Sequence, residues 1–355
     1  MTIAKICMVG AGRVGQLHTA SIMNQLRHRA EVAAVVDADL ASAANLAAEF
    51  DVPAVHQSLA EALASGSFDG AVITTPTFTH CELTLAALDA GLPVHLEKPM
   101  AMNLVECAAI NDAIARTGLL VQLGFMRRFD RDFQAAAELL ESGEIGVPMI
   151  IKSLTHGPGL PPAWANDIAT SNGLIAEVCS HDLDTIGWFA AAQPVDIGVK
   201  AANFKGAERG VTAPRFYDTM VATVTFESGA IASVAGVCPA DYGYDSRVEV
   251  TATKGMVQVG ETGPGGLAVV RAGNGVKEQA LYPSWRKRFA EAYIAEMAGF
   301  LDVLEGTAPK VGPAEGTQAV ALAVAGVASL LSGRTVALSQ VLDNPQIPSW
   351  QRDGR

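Results

Sequence analysis

Three sets of side chains in this sequence combine residue types and spacing suited to chemistry. The first is Gly10-Ala11-Gly12-Arg13-Val14-Gly15, which directly follows the apolar run 3–9 and opens a helical stretch reaching Leu26. In such a loop the first glycine permits a tight turn and the second lets backbone amides approach a pyrophosphate. The third lets the helix pack closely on the strand, and the helix N-terminus favours the anion. Asp37 closes the second apolar run, 31–36, at the distance expected of a carboxylate that accepts from ribose hydroxyls and repels a 2′-phosphate. Ala38 and Asp39 follow it, so no neighbouring cation is offered to such a phosphate, and NAD is preferred over NADP.

The second set is Thr74-Thr75-Pro76 and Glu97-Lys98-Pro99, each at the end of an apolar run. Ligands of open α/β sheets bind outside the carboxyl ends of the strands, and proline after each polar group bends the chain out at that edge. A lysine there can polarise an alcohol oxygen or relay its proton, although a solvated loop lysine is the commoner fate. The third set is Glu177 and His181, spaced i,i+4 on a predicted helix and so on one face. A carboxylate beside an imidazole orients it and favours its protonated form, which suits a base for a hydroxyl proton. Spacing alone favours a merely structural pair. Arg127 or Arg128, Asp167 and Tyr244 are candidates for gripping hydroxyl groups. As a reading of residue types, a surface or interface role fits them equally well. Trp164, Asn166 and Asp167 follow the proline-rich stretch 158–162, an expected loop over a pocket. His80, His95, His156, Cys179 and His181 form no pair with familiar zinc spacing, so no metal is expected.

The elements that must position these groups fall into two textures. Apolar runs at 3–9, 31–36, 71–74, 93–96 and 119–123 alternate with helical patterns at 40–50, 81–90 and 104–117. Strands apolar throughout and spaced by helices predict a doubly wound parallel sheet, a Rossmann domain over 1–123. Beyond Gly124, strands are expected at 149–155, 219–225, 230–237, 247–253, 256–259 and 267–271. Several are joined by glycine turns such as Lys254-Gly255 and Asn274-Gly275. With helices at 287–304 and 315–331, residues 124–340 read as an α+β domain on a largely antiparallel open sheet, followed by a loosely held polar tail, 341–355.

From Glu97-Lys98-Pro99 onward the chain resembles the glucose–fructose oxidoreductase and inositol dehydrogenase family (Gfo/Idh/MocA). The glycine loop, the Thr-Pro loop ending in His80, and the Glu-Lys-Pro tripeptide carry the resemblance. So do Gly124-Phe125-Met126-Arg127-Arg128-Phe129-Asp130, His181-Asp182-Leu183-Asp184, Tyr242-Gly243-Tyr244-Asp245 and Arg288-Phe289-Ala290-Glu291-Ala292-Tyr293, the last four similar to inositol dehydrogenases. The resemblance implies cofactor contacts at Gly10, Gly12, Arg13, Val14, Gly15, Asp37, Thr75, Pro76, His80, Glu97 and Lys98. It also implies a Lys98 that touches both cofactor and reacting oxygen, and His181 as general acid/base. Met126, Arg127, Asp167, Glu177, His181 and Tyr244 would meet substrate. Inositol dehydrogenases usually carry aspartate four residues before this histidine; Glu177 keeps the carboxylate but reaches one methylene further. The implied activity is oxidation of a secondary hydroxyl of a cyclitol or sugar to a ketone with NAD. Alternatives are another pyranose, anhydrosugar or glycoside as substrate, or a non-catalytic NAD-binding sensor or co-regulator. Retention of both Lys98 and His181 argues for catalysis.

Composition narrows the partners. Half of the 355 residues are hydrophobic, and the net charge of −12 repels polyanions, so nucleic acid is not expected. Five scattered cysteines without a CxxC pair read as reduced thiols of a cytoplasmic protein. No charged-then-apolar leader opens the chain, and the apolar stretch 319–331 is too short to span a bilayer, so no membrane partner is expected. An apolar sheet face in the second domain predicts a homo-oligomer, and the resemblance implies a tetramer or dimer.

Overall fold

The computed structural model describes residues 3–260 and 282–352. The chain forms two compact units, Met1–Asp130 with Ala290–Thr317, and Arg131–Phe289 with Gln318–Arg355.

The first unit runs β1 (Ala4–Val9), α1 (Arg13–Ala20), β2 (Ala30–Val36), α2 (Leu40–Glu49), β3 (Ala54–His56), α3 (Leu59–Ser65), β4 (Gly70–Ile73), α4 (His80–Asp89), β5 (Val94–Glu97), α5 (Leu104–Thr117) and β6 (Val121–Gly124). The second contributes α6 (Arg131–Glu141), β7 (Pro148–His156), α7 (Ile168–Ser171), α8 (Gly173–Glu177), α9 (Ser180–Ala190), β8 (Pro194–Ala202), β9 (Thr219–Phe226), β10 (Ile231–Val237), β11 (Asp245–Ala252), β12 (Met256–Val259) and α10 (Trp285–Arg288). The chain then returns to the first unit with α11 (Ala290–Leu304). It leaves again along α12 (Pro313–Ser332) to β13 (Val336–Ala337).

The six strands of the first sheet lie in the order β3-β2-β1-β4-β5-β6, all parallel. This is the doubly wound arrangement, with its switch point between β1 and β4. Strands β4, β5 and β6 are buried at every residue, as a sheet covered on both faces requires. Two elements escaped the sequence reading. Strand β3 has only three half-buried residues, and α3 is a short helix started by Ser58, whose hydroxyl accepts the Glu61 amide at 3.2 Å.

Helix α11, expected in the second domain, packs inside the first unit. Its Met297, Phe300, Leu301 and Val303 share one apolar cluster with Ile6, Met8, Ile22 and Val32. The break expected at 123/124 therefore differs from the two units described here. Periodicity shows that such a helix is amphipathic but not which sheet it covers.

The second sheet has the order β12-β11-β7-β10-β9-β8-β13. Only β7 and β10 pair in parallel; the other described pairs are antiparallel. Strand β8, unforeseen from the sequence, buries Ile197 and Val199, and its pairing with β9 shifts register between Pro194 and Asp196. The strand expected at 267–271 and the Asn274-Gly275 turn lie outside the described residues. The tail is held, contrary to expectation. Gln351 is buried, and its side-chain amide and the Trp350 indole both donate to Asn172 Oδ1, at 2.8 and 3.2 Å. One helix among the described residues, α12, is long and apolar enough to cross a membrane, and 61% of its most apolar window is buried.

Candidate active site

The glycine loop does locally what its spacing predicts. Gly10 has φ +107°, and a Cβ there would come within 2.6 Å of the Thr74 hydroxyl. A Cβ on Gly15 would lie 1.9 Å from the Gly10 carbonyl oxygen, so only glycine lets α1 sit this close to the turn. Nothing stands within 4 Å of a Cβ built on Gly12, which leaves its backbone open to a pyrophosphate. Arg13 and Val14 begin α1, whose first turn carries no acidic side chain. The Asp37 carboxylate accepts the Ala11 amide at 2.7 Å and the Asp39 amide at 2.9 Å. It thereby ties the glycine loop to the end of β2 and retains lone pairs for ribose hydroxyls. These residues fit a dinucleotide: an open backbone, a helix N-terminus and a fixed carboxylate on one sheet edge.

The other two loops of that edge are joined by His80. Its Nδ1 faces the Pro99 carbonyl at 2.7 Å and its Nε2 the Thr75 carbonyl at 2.9 Å. Burial draws its pKa below the usual histidine value, against the pull of the two carbonyls. Fully enclosed, His80 serves the site by clamping the Thr75-Pro76 and Lys98-Pro99 segments together. Thr79 completes the first of these, its hydroxyl donating to Thr75 Oγ1 at 2.7 Å and Pro76 O at 2.8 Å.

Glu97 turns inward. One carboxylate oxygen meets His18 Nε2 at 2.9 Å and the other accepts the Lys98 amide at 3.1 Å. His18, His95 and Glu296 complete a buried group around it, their donor atoms all within 4.8 Å of one another. The sequence reading missed this cluster because its members come from α1, β5 and α11. The 2.9 Å contact is a hydrogen bond; two donors on a tetrahedral zinc with bonds of about 2.1 Å would stand about 3.4 Å apart.

In the second unit, Glu177 and His181 do not lie on one continuous helix. Helix α8 ends at Glu177, and α9 begins at Ser180 after a break at Val178 and Cys179. The shared face inferred from i,i+4 spacing is therefore replaced by a bend between two short helices. His181 is 8% exposed at the start of α9. The helix itself is anchored by the adjacent Asp182, fully buried, which accepts from the Ser153 and Thr155 hydroxyls of β7 at 2.6 and 2.7 Å. Sequence reasoning overlooked this anchor, for which the alternating hydroxyls Ser153 and Thr155 were the available signal.

The candidates for hydroxyl recognition separate. Asp167 is engaged locally, capping α7 through the Ala169 amide at 2.8 Å and facing Arg215 at 3.3 Å. Trp164 accepts the Thr170 hydroxyl on its carbonyl, and Asn166 ends the turn before that cap. Met126 and Arg127 are enclosed in the first unit at 1% exposure each, whereas Arg128 is only half-buried. Tyr244 is buried, with its ring edge-on to Phe289. Next to it, Asp245 pairs in register with His156 and is gripped by Arg247 at 2.8 and 2.9 Å. The Tyr242 hydroxyl contacts both His156 Nδ1 and, at 3.3 Å, Asp245. This polar group joins the ends of β7 and β11, and residue types spread over 90 positions gave no sign of it.

Comparisons with known proteins agree with this geometry. Residues 4–125 match the family model described as an oxidoreductase family with an NAD-binding Rossmann fold, and residues 133–258 match the GFO/IDH/MocA C-terminal domain. Inositol 2-dehydrogenase 3 of Saccharopolyspora erythraea is 30% identical, over 95% of each chain. The scyllo-inositol 2-dehydrogenase (NAD(+)) of Bacillus subtilis is 28% identical over 94% of this chain and 96% of its own. Among solved structures, scyllo-inositol dehydrogenase from Lactobacillus casei with bound NAD(H) and scyllo-inositol superposes with a TM-score of 0.84. It is 26% identical and covers 95% of this chain and 100% of its own. With its glycine loop, its Asp37 and two domain matches, the chain belongs to the GFO/IDH/MocA family of NAD-binding oxidoreductases.

Proposed function

We propose that this enzyme oxidises a ring secondary hydroxyl of a cyclitol to the ketone with NAD, in the manner of an inositol 2-dehydrogenase. The observation that carries the reading is that both Lys98 and His181 are present in a chain similar to inositol dehydrogenases over nearly its whole length. NAD, when bound, supplies the hydride acceptor. Lys98, at the carboxyl end of β5, polarises the reacting oxygen. His181, fixed by the Asp182 anchor, takes the hydroxyl proton and returns it in the reverse direction. Glu177 ends α8 and orients the ring hydroxyls from one methylene further back than an aspartate would. Tyr244 and Arg127 bound the substrate.

The enzyme works as a homo-oligomer in the cytoplasm. Support for association comes from Val221, Ile231 and Met256 on the second sheet, each about half exposed on neighbouring or edge strands. Support for a reducing compartment comes from five free cysteines, four of them buried.

Turnover tests the activity: purified protein with NAD, and separately NADP, against inositols, hexoses and anhydrosugars, followed by absorbance of the reduced nicotinamide. Turnover with myo- or scyllo-inositol and NAD is expected. Turnover confined to a pyranose, or to NADP, would overturn the reading.

A further inference from the structure

Behind Lys98 lies an unusual concentration of buried polar groups. His18, His95 and Glu296 are 0% exposed, and Glu97 is 6% exposed. The Glu97 carboxylate spans two functions, meeting His18 at 2.9 Å with one oxygen and the Lys98 amide at 3.1 Å with the other. Space for that carboxylate exists because residue 124 on the adjacent strand is glycine; a Cβ there would lie 2.8 Å from Glu97 Cδ and 2.9 Å from Oε2. His18 is held in turn by rings on two sides, His95 at 5.1 Å and Tyr293 of α11 at 5.7 Å between centroids.

Glu296 closes the cluster from α11. Neither of its carboxyl oxygens accepts or donates a hydrogen bond among the described residues. Its main chain is fixed: the Gln122 side-chain amide donates to the Glu296 carbonyl at 2.9 Å while also facing His95 Nδ1 at 3.2 Å. Burial, and then the neighbouring Glu97 carboxylate, push the Glu296 pKa well above the usual carboxylate range. Burial, and then His18, push the His95 pKa well below its usual value. A buried carboxylate is costly unless its lone pairs are satisfied, which gives this arrangement its reason.

We propose that His18 is a positioning residue for the reaction: it holds the Glu97 carboxylate, whose other oxygen accepts the Lys98 amide at the end of β5, while Glu296 closes the buried cluster around them. The clamp rests on the reading of Lys98 as the group at the reacting oxygen. Misplacing a reacting group by about 1 Å costs on the order of 100-fold in rate, so the clamp is felt in kcat.

The test compares His18→Gln, His18→Ala and His18→Phe with the unsubstituted full-length enzyme. Steady-state kinetics, thermal melting and hydrogen exchange of the peptide covering Lys98 are measured on each. His18→Gln, whose side-chain amide can still donate to Glu97, should retain kcat within about threefold. His18→Ala should lose about 100-fold in kcat, with faster exchange at the Lys98 amide. Should His18→Ala fail to fold, His18→Phe, which fills the place of the ring without a donor, carries the same expectation of lost kcat and lost protection. Unchanged kcat and exchange in both His18→Ala and His18→Phe would overturn the clamp, as would a His18→Gln that falls as far as the alanine. If the unsubstituted enzyme turns over no polyol, the reading of Lys98 fails, while the exchange measurement still decides whether the cluster holds its main chain.

Discussion

At the scale of single residues, the account depends on Lys98 and His181 in different parts of the chain doing chemistry on one hydroxyl. General acid–base groups contribute typically about 10²–10⁴-fold. Lys98→Ala should lower kcat by about that range in steady-state assays; unchanged turnover would remove Lys98 from the mechanism. Asp37 holds two backbone amides and is the carboxylate proposed to accept from the ribose hydroxyls, so Asp37→Ser should raise KM for NAD and narrow the preference over NADP. An unaltered NAD/NADP ratio would show that selectivity lies elsewhere.

At the scale of elements, two glycines of the loop, Gly15 and Gly12, make opposite predictions. A Cβ at Gly15 collides with a backbone oxygen that cannot swing aside, so Gly15→Ala should both lower Tm and abolish NAD binding. A Cβ at Gly12 meets no protein atom. Gly12→Ala should therefore leave Tm nearly unchanged and weaken only NAD, in the same melting and titration experiments. Asp182 ties α9 to β7 through two hydroxyls, and Asp182→Ala should cost about 1–3 kcal/mol in urea denaturation.

The legibility of these elements follows their locality. The glycine loop, Asp37 and the strand ends carrying Thr75 and Lys98 were readable because strand, turn and helix follow one another along the chain. The break at Val178–Cys179 was not, since apolar spacing continues through it from Leu174 to Leu183. Nor were His18, Glu97 and Glu296 readable as a group, because only the return of α11 to the first unit brings the last of them near the others.

At the scale of the whole molecule, burial sets the pH response. His80, His95 and His156 all have pKa values below the ordinary 6.5, in each case chiefly through desolvation. A histidine depressed on folding adds stability above pH 6.5 that is lost as pH falls below it. Glu296, raised above 4.5, acts in the opposite sense: its stabilising contribution is complete below pH 4.5 and is lost as pH rises through its folded value. With three histidines against one glutamate, the urea midpoint should fall between pH 7 and pH 5.5, and His95→Gln should flatten that fall. A midpoint that rises over this interval would contradict the assignment. Association is also a whole-molecule property. Ile231→Lys on the open sheet face should reduce the mass measured by light scattering, whereas an unchanged mass would place the contact elsewhere.

The most direct test of the central claim follows the transferred atom itself. Inositol deuterated at every ring carbon would be incubated with the enzyme and NAD, and the reduced nicotinamide analysed by mass spectrometry. The account predicts a cofactor one mass unit heavier, formed together with the ketone and lost in the Lys98→Ala variant. Reduced cofactor without the label, or none at all from either inositol isomer, would contradict it.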